Sequence, residues 1–211
     1  MFRKHAAALA ALIAVVVAAL ALVACGDEQE TTSGAETTDG AFLAEMVPHH
    51  ESAIEMAKVA QKQADHPEIK QLADDIIAAQ DSEIEQMNAM HERLFDQPVS
   101  EDHNTLGMDE AMMGMEMMSM NSLEASKPFD RAFIDEMIPH HQGAILMARM
   151  ELADGQDPEV MDLAQSIIDA QSSEIERMNE WRMQWYGAES PEGGIPPEDE
   201  DMSHDSMSMG G

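Results

Sequence analysis

The hexapeptide Glu45-Met46-Val47-Pro48-His49-His50 returns as Glu136-Met137-Ile138-Pro139-His140-His141, and this duplication narrows what the chain can fold into. The match runs without a gap from residues 42–95 onto residues 133–186. About two dozen of roughly fifty-four aligned positions are identical, far more than unrelated helices share. Met56 falls on Met147, Gln80 on Gln171, Glu83 on Glu174, Met87 on Met178 and Asn88 on Asn179. The chain is built from two copies of one unit, and each copy carries a Met-x-x-His-His cluster.

Each copy reads as a pair of helices. In the first, Phe42 to Ala64 places Met46, His49, His50, Ala53 and Met56 along one face, because residues three and four apart are neighbours on a helix. Pro48 lies inside that helix, where it removes a backbone donor and kinks the axis at the cluster. Pro67 opens a second helix running to Phe95, with Glu68 beside it in the first turn. Its apolar stripe is Ile69, Leu72, Ala73, Ile76, Ile77, Gln80, Ile84 and Met87, then Met90 or His91. Gln80 interrupts the stripe with an amide that needs a partner, either a metal-ligating histidine or another helix. The second copy gives helices at 130–153 and 158–186, with Asp157 as N-cap. His66 and His91 have no counterparts there, since Asp157 and Arg182 take their places.

Two matched hairpins joined by a long connection imply an all-α, ferritin-like four-helix bundle with one crossover, spanning residues 41–186. The crossover, residues 96–128, loses periodicity and is crowded with methionine. His103, Met108, Met112, Met113, Met115, Met117, Met118 and Met120 stand among Gly, Asp and Glu. A short amphipathic helix over the bundle would explain some of them; metal binding would explain their density. Residues 187–211 are Pro, Gly and acid rich, a segment too polar to fold alone, and end in Met202, His204, Met207 and Met209.

The first 24 residues read as a lipoprotein signal peptide: Arg3 and Lys4, then an apolar run from Ala6 to Ala24. Leu22-Val23-Ala24-Cys25-Gly26 resembles a bacterial lipobox, which implies lipid on Cys25 and attachment to the extracytoplasmic face of the membrane. An uncleaved span is the alternative, since the run approaches the roughly 20 residues a crossing requires. Residues 25–40 then form a flexible tether. Cys25 is the sole cysteine, so once acylated it leaves methionine as the soft metal donor. A net charge of -31, from 42 acidic and 11 basic residues, repels nucleic acid and attracts cations.

Di-iron bundles of ferritin type present Glu-x-x-His on their helices. Here Met46-x-x-His49 and Met137-x-x-His140 stand in that place, and no Glu-x-x-His occurs anywhere in the chain. Exchanging a carboxylate for a thioether moves preference from iron and manganese toward copper(I), while imidazole also accommodates copper(II). Two adjacent histidines with methionine one turn before, present in both copies, point to metal; a buried His-His pair fixing the kinked helices is the plainer reading.

The run Phe-Leu-Ala-Glu-Met-Val-Pro-His-His, then Ala-Ile-x-Met-Ala, then Ile-Ile-x-x-Gln-x-x-Glu-Ile-x-x-Met-Asn resembles domain-of-unknown-function family 305, over residues 40–186. That family includes CopM-type copper-binding proteins and is ferritin-like and helical. The resemblance implies extracytoplasmic copper binding, and its motif residues here are Met46, His49, His50, Met56, Gln80, Glu83 and Met87, with Met137, His140, His141, Met147, Gln171, Glu174 and Met178 in the second copy; the methionines and histidines among them are the metal candidates. His91, His103, the crossover methionines and the tail residues lie outside the motif and are weaker candidates on chemistry alone.

The leading function is therefore a lipid-anchored binding protein that sequesters or chaperones copper, with a copper-accepting protein as partner and no nucleic acid. A ferritin-like metal oxidase and a surface interaction module with structural histidines are the alternatives. The oxidase would need a carboxylate on the Met-His face, and Glu45 and Glu136 point about 100 degrees away. Spacing thus predicts histidines at a surface-accessible kink with no acid beside them.

Overall fold

The computed structural model describes residues 37–99, 106–108, 112–115 and 119–198. Among these, the secondary structure is five α-helices and no strand: α1 (Thr38–Gln63), α2 (Pro67–Phe95), α3 (Met120–Ala125), α4 (Phe129–Asp154) and α5 (Pro158–Tyr186). The helix ends follow local chemistry. Thr37 caps α1 by accepting the Gly40 N–H, and Asp157 caps α5 by accepting those of Glu159 and Val160. Pro67 and Pro158 stand in the first turns, where a missing N–H costs nothing. Gly187 ends α5 with φ 83°, a left-handed conformation that glycine adopts without strain. None of these helices is long and apolar enough to cross a membrane.

α1 packs along α2, α4 along α5, and the two hairpins join through α1 and α4; α2 and α5 meet only marginally. Side-chain caps fix α1 and α4 as antiparallel. Asp39 at the start of α1 accepts the backbone N–H groups of Gln156 and Asp157 just beyond the end of α4. Asp130 at the start of α4 does the same for Asp65 and His66 beyond the end of α1.

The antiparallel crossing divides the core in two. Phe42, Met46, Met87, Met147 and Ile167 belong to one cluster; Met56, Phe129, Phe133, Met137 and Met178 belong to the other. Each cluster mixes the first half of one central helix with the second half of the other. The six candidate methionines of the helices, Met46, Met56, Met87, Met137, Met147 and Met178, are 0–1% exposed, so each of these lies inside an apolar cluster rather than on an open face.

Three segments are more ordered than their composition suggests. The tether was expected to run to residue 40, but α1 begins at Thr38, because Asp39 is drawn in by the N–H groups it accepts. Within the crossover, α3 forms, and Leu106, Met108 and Leu123 are buried against the bundle. The tail is laid down as far as residue 198 rather than leaving at Gly187. Asn179 donates to the Gly193 carbonyl, Gln142 to those of Glu192 and Gly194, and Arg149 to those of Pro196 and Pro197. A polar segment can be ordered without a core of its own when helix side chains satisfy its carbonyls.

Candidate metal centre

His49 and His140 meet where α1 crosses α4. Their ring centroids are 3.8 Å apart, with the planes tilted by 40°. His50 and His141 flank them, each 6.4 Å from the neighbouring ring of its own helix. The four imidazoles are 0–1% exposed. The expectation of a surface-accessible kink is therefore corrected: Pro48 and Pro139 do lie inside the helices, but at the buried crossing.

The ring nitrogens are used unevenly. His50 Nε2 lies 2.8 Å from Glu83 Oε2, and His141 Nε2 lies 2.7 Å from Glu174 Oε2. His49 Nε2 donates to the backbone carbonyl of Met113 at 2.9 Å. In all three rings Nδ1 is buried without a well-formed hydrogen bond, and neither nitrogen of His140 makes one, although the backbone of each central histidine approaches the ring of the other. Buried polar atoms in native proteins are nearly always paired, so this group of nitrogens without well-formed hydrogen bonds calls for an explanation. Burial, reinforced by the neighbouring imidazoles, pushes the pKa of His49 down to about 3 and that of His140 well below the usual imidazole range. Both rings are thus neutral near pH 7 and carry a lone pair.

Glu83 and Glu174 belong to the motif of each copy, but spacing along the Met-His helices places no acid beside the histidines. The carboxylates arrive from the adjacent helices, α2 and α5, so spacing along α1 or α4 could not reveal them. Gln80 and Gln171, considered as partners of the histidines, keep a buried Oε1 without a hydrogen bond. The signal lay one turn further along, in Gln-x-x-Glu of each copy. A carboxylate on one imidazole nitrogen orients the ring and leaves the other for a metal.

The other candidates scatter. Met46 and Met137 stand one turn before the histidines, but in opposite core clusters; Met56, Met87, Met147 and Met178 are divided in the same way. His91 Nδ1 donates to the Gln97 carbonyl beyond the end of α2. Met108 is buried, Met113 and Met120 pack against the core, Met115 is half-buried and Met112 is 36% exposed. Cys25, His103, Met117, Met118, Met202, His204, Met207 and Met209 lie outside the described residues.

Among the described residues no three His, Cys, Asp or Glu side chains converge as a metal cage. The crossing instead offers neutral imidazoles with thioethers one turn away. Imidazole nitrogens suit copper better than magnesium or calcium, while the thioethers lie apart in the two core clusters.

Comparison with known proteins agrees with this architecture. The model of the family described as Domain of unknown function (DUF305) matches residues 39–182 and 130–211. CopM in the Cu(I)-bound form is 38% identical, covering 72% of this chain and 99% of CopM, with a TM-score of 0.62. CopM in the Cu(II)-bound form is 40% identical, over 71% and 98% of the two chains, with a TM-score of 0.63. A putative secreted DUF305 protein from Streptomyces coelicolor is 27% identical, over 74% and 98%, also with a TM-score of 0.63. The uncharacterized protein L153 of Acanthamoeba polyphaga mimivirus is 46% identical over 52 residues, which span 34% of its length. With a family model matching most of its length and helices that superpose on solved members, the chain belongs to the DUF305 family.

Proposed function

We propose that this protein binds copper at the crossing of α1 and α4 and either sequesters it or hands it to an accepting protein. One observation carries the reading: the buried contact between His49 and His140, where His49 Nδ1 and both His140 ring nitrogens make no well-formed hydrogen bond. His50 and His141, braced by Glu83 and Glu174, supply further imidazole donors, and Met46 and Met137 the nearest thioethers along the helices. Copper there would satisfy nitrogens that otherwise lie desolvated without a well-formed hydrogen bond. That CopM has been solved with Cu(I) and with Cu(II) supports the metal assignment, since it is similar over nearly its whole length. The leader and Cys25 place the protein, in this reading, on the extracytoplasmic face of a bacterial membrane, held by lipid. No substrate is turned over.

The test is metal analysis of protein folded with copper, followed by competition against a copper(I) chelator. The parent should retain copper, and His49→Leu with His140→Leu should lose it while keeping its helical spectrum. Equal retention by both proteins would show that the histidines are packing groups.

A further inference from the structure

The segment Met112–Met115 of the crossover reaches His49 through an unusually close seat on α4. Gly114 has φ 65°, and a Cβ there would overlap the Pro139 carbonyl and the His140 Cα. A Cβ on Gly143 would overlap the Met113 carbonyl from the other side. The two glycines interlock, so the Met113 carbonyl can approach only because neither has a side chain. The first copy has Ser52 where the second has Gly143, so α1 offers no such seat. One crossover exists for two hairpins, and it engages one histidine of the central pair. His140, the counterpart of His49, makes no well-formed hydrogen bond through either nitrogen.

We propose that the Met113 carbonyl, seated by Gly114 and Gly143, is a positioning group that fixes which nitrogen His49 presents to the metal. A carbonyl can only accept, so the hydrogen bond at 2.9 Å places the proton of neutral His49 on Nε2. Nδ1 then bears the lone pair and lies buried without a well-formed hydrogen bond, in a ring that packs on His140. Without the carbonyl, the neutral ring is free to exchange tautomers, and part of the population would present an N–H where a ligand is needed. The same hydrogen bond, accepted by the backbone carbonyl, raises the donor strength of Nδ1. The two central histidines are thereby made unequal: His49 is preset, and His140 is left to adjust. This inference rests on the copper reading for its purpose, but the tautomer itself is a property of the metal-free protein.

The experiment uses the full chain, labelled with nitrogen-15, without metal and then with copper(I). Long-range nitrogen–proton spectra of the metal-free parent should show His49 protonated at Nε2 alone. Averaged or Nδ1-protonated signals in the parent would overturn the proposal without recourse to any variant. Gly143→Ser, the residue of the first copy, should mix the His49 tautomers while the Glu83-paired His50 signals stay unchanged. Gly114→Ala should do the same by the other half of the seat. Both variants should still take up copper but release it to a chelator roughly three- to tenfold faster, as loss of one neutral hydrogen bond implies. Release at the parental rate with a shifted tautomer would also sink the idea. A parent that takes up no copper defeats the functional reading instead, and the metal-free spectra then still decide the positioning role.

Discussion

The Asp130 carboxylate in the first turn of α4 accepts the backbone N–H of His66 at 2.8 Å, and so ties one hairpin to the turn of the other. It also accepts the Asp65 N–H at 2.9 Å, and Asp39 holds Gln156 and Asp157 in the same manner at the opposite end. These residues are 1% and 5% exposed, and hydrogen bonds to a buried charge are among the stronger ones. Asp130→Ala should therefore destabilise the fold by about 2–4 kcal/mol in denaturant titrations, with Asp39→Ala close behind. Exposed Asp74→Ala is the control, at under about 0.5 kcal/mol.

Glu151 is fully buried beside Asp39, and the two carboxyl groups can share a hydrogen bond only when one of them carries a proton. Burial first, then the Asp39 charge, pushes its pKa up to about 8, from an ordinary 4.5. The folded state thus holds a proton that the unfolded chain has already released over that interval. Its contribution is fully present below about pH 4.5 and is lost as pH rises toward 8. Glu151→Gln should flatten this alkaline decline and leave the protein about 2 kcal/mol more stable than the parent at pH 8. A parallel decline in both proteins, measured by thermal melts across pH, would contradict this.

The central histidines act on the acid side. Their pKa values are lowered by burial, that of His49 to about 3, so the unfolded chain takes protons first as pH falls. The associated stability is present above about 6.5 and disappears on descent toward 3. The double variant His49→Leu, His140→Leu should lose much of this acid sensitivity together with its copper. Melting curves from pH 7 to 4 provide the check.

Glu83 and Glu174 each hold one flanking imidazole by Nε2. Glu83→Gln or Glu174→Gln should keep the fold and weaken copper binding by about 10–100-fold, the usual effect of losing an orienting partner. Chelator competition that returned parental affinity for both variants would show that these carboxylates serve only the bundle.

The crossover methionines should separate by burial. Met108 is 2% exposed in an apolar cluster, so Met108→Ala should cost about 2–4 kcal/mol of stability. Met112, at 36% exposed, should cost under about 0.5 kcal/mol. Removing residues 103–123 outright would uncover the core beneath Leu106, Met108 and Leu123, so point substitutions are the cleaner probe of copper binding by this segment.

The sequence by itself determined the helices, their proline starts, the Asp157 cap and the paired histidine clusters. Each depends on spacing within a few residues, where 3.6-residue periodicity and the missing proline N–H act locally. The matched copies also implied two alike hairpins. Only the tertiary structure decided how those hairpins meet. Antiparallel packing of α1 on α4 brings His49 onto His140, sends Met46 and Met137 into opposite clusters, and carries Glu83 and Glu174 in from α2 and α5. It likewise lets Gly143 admit the Met113 carbonyl, and lets helix side chains pin residues 187–198. These contacts join positions far apart in the chain, and their register is set by packing and by the Asp39 and Asp130 caps, which no local pattern encodes.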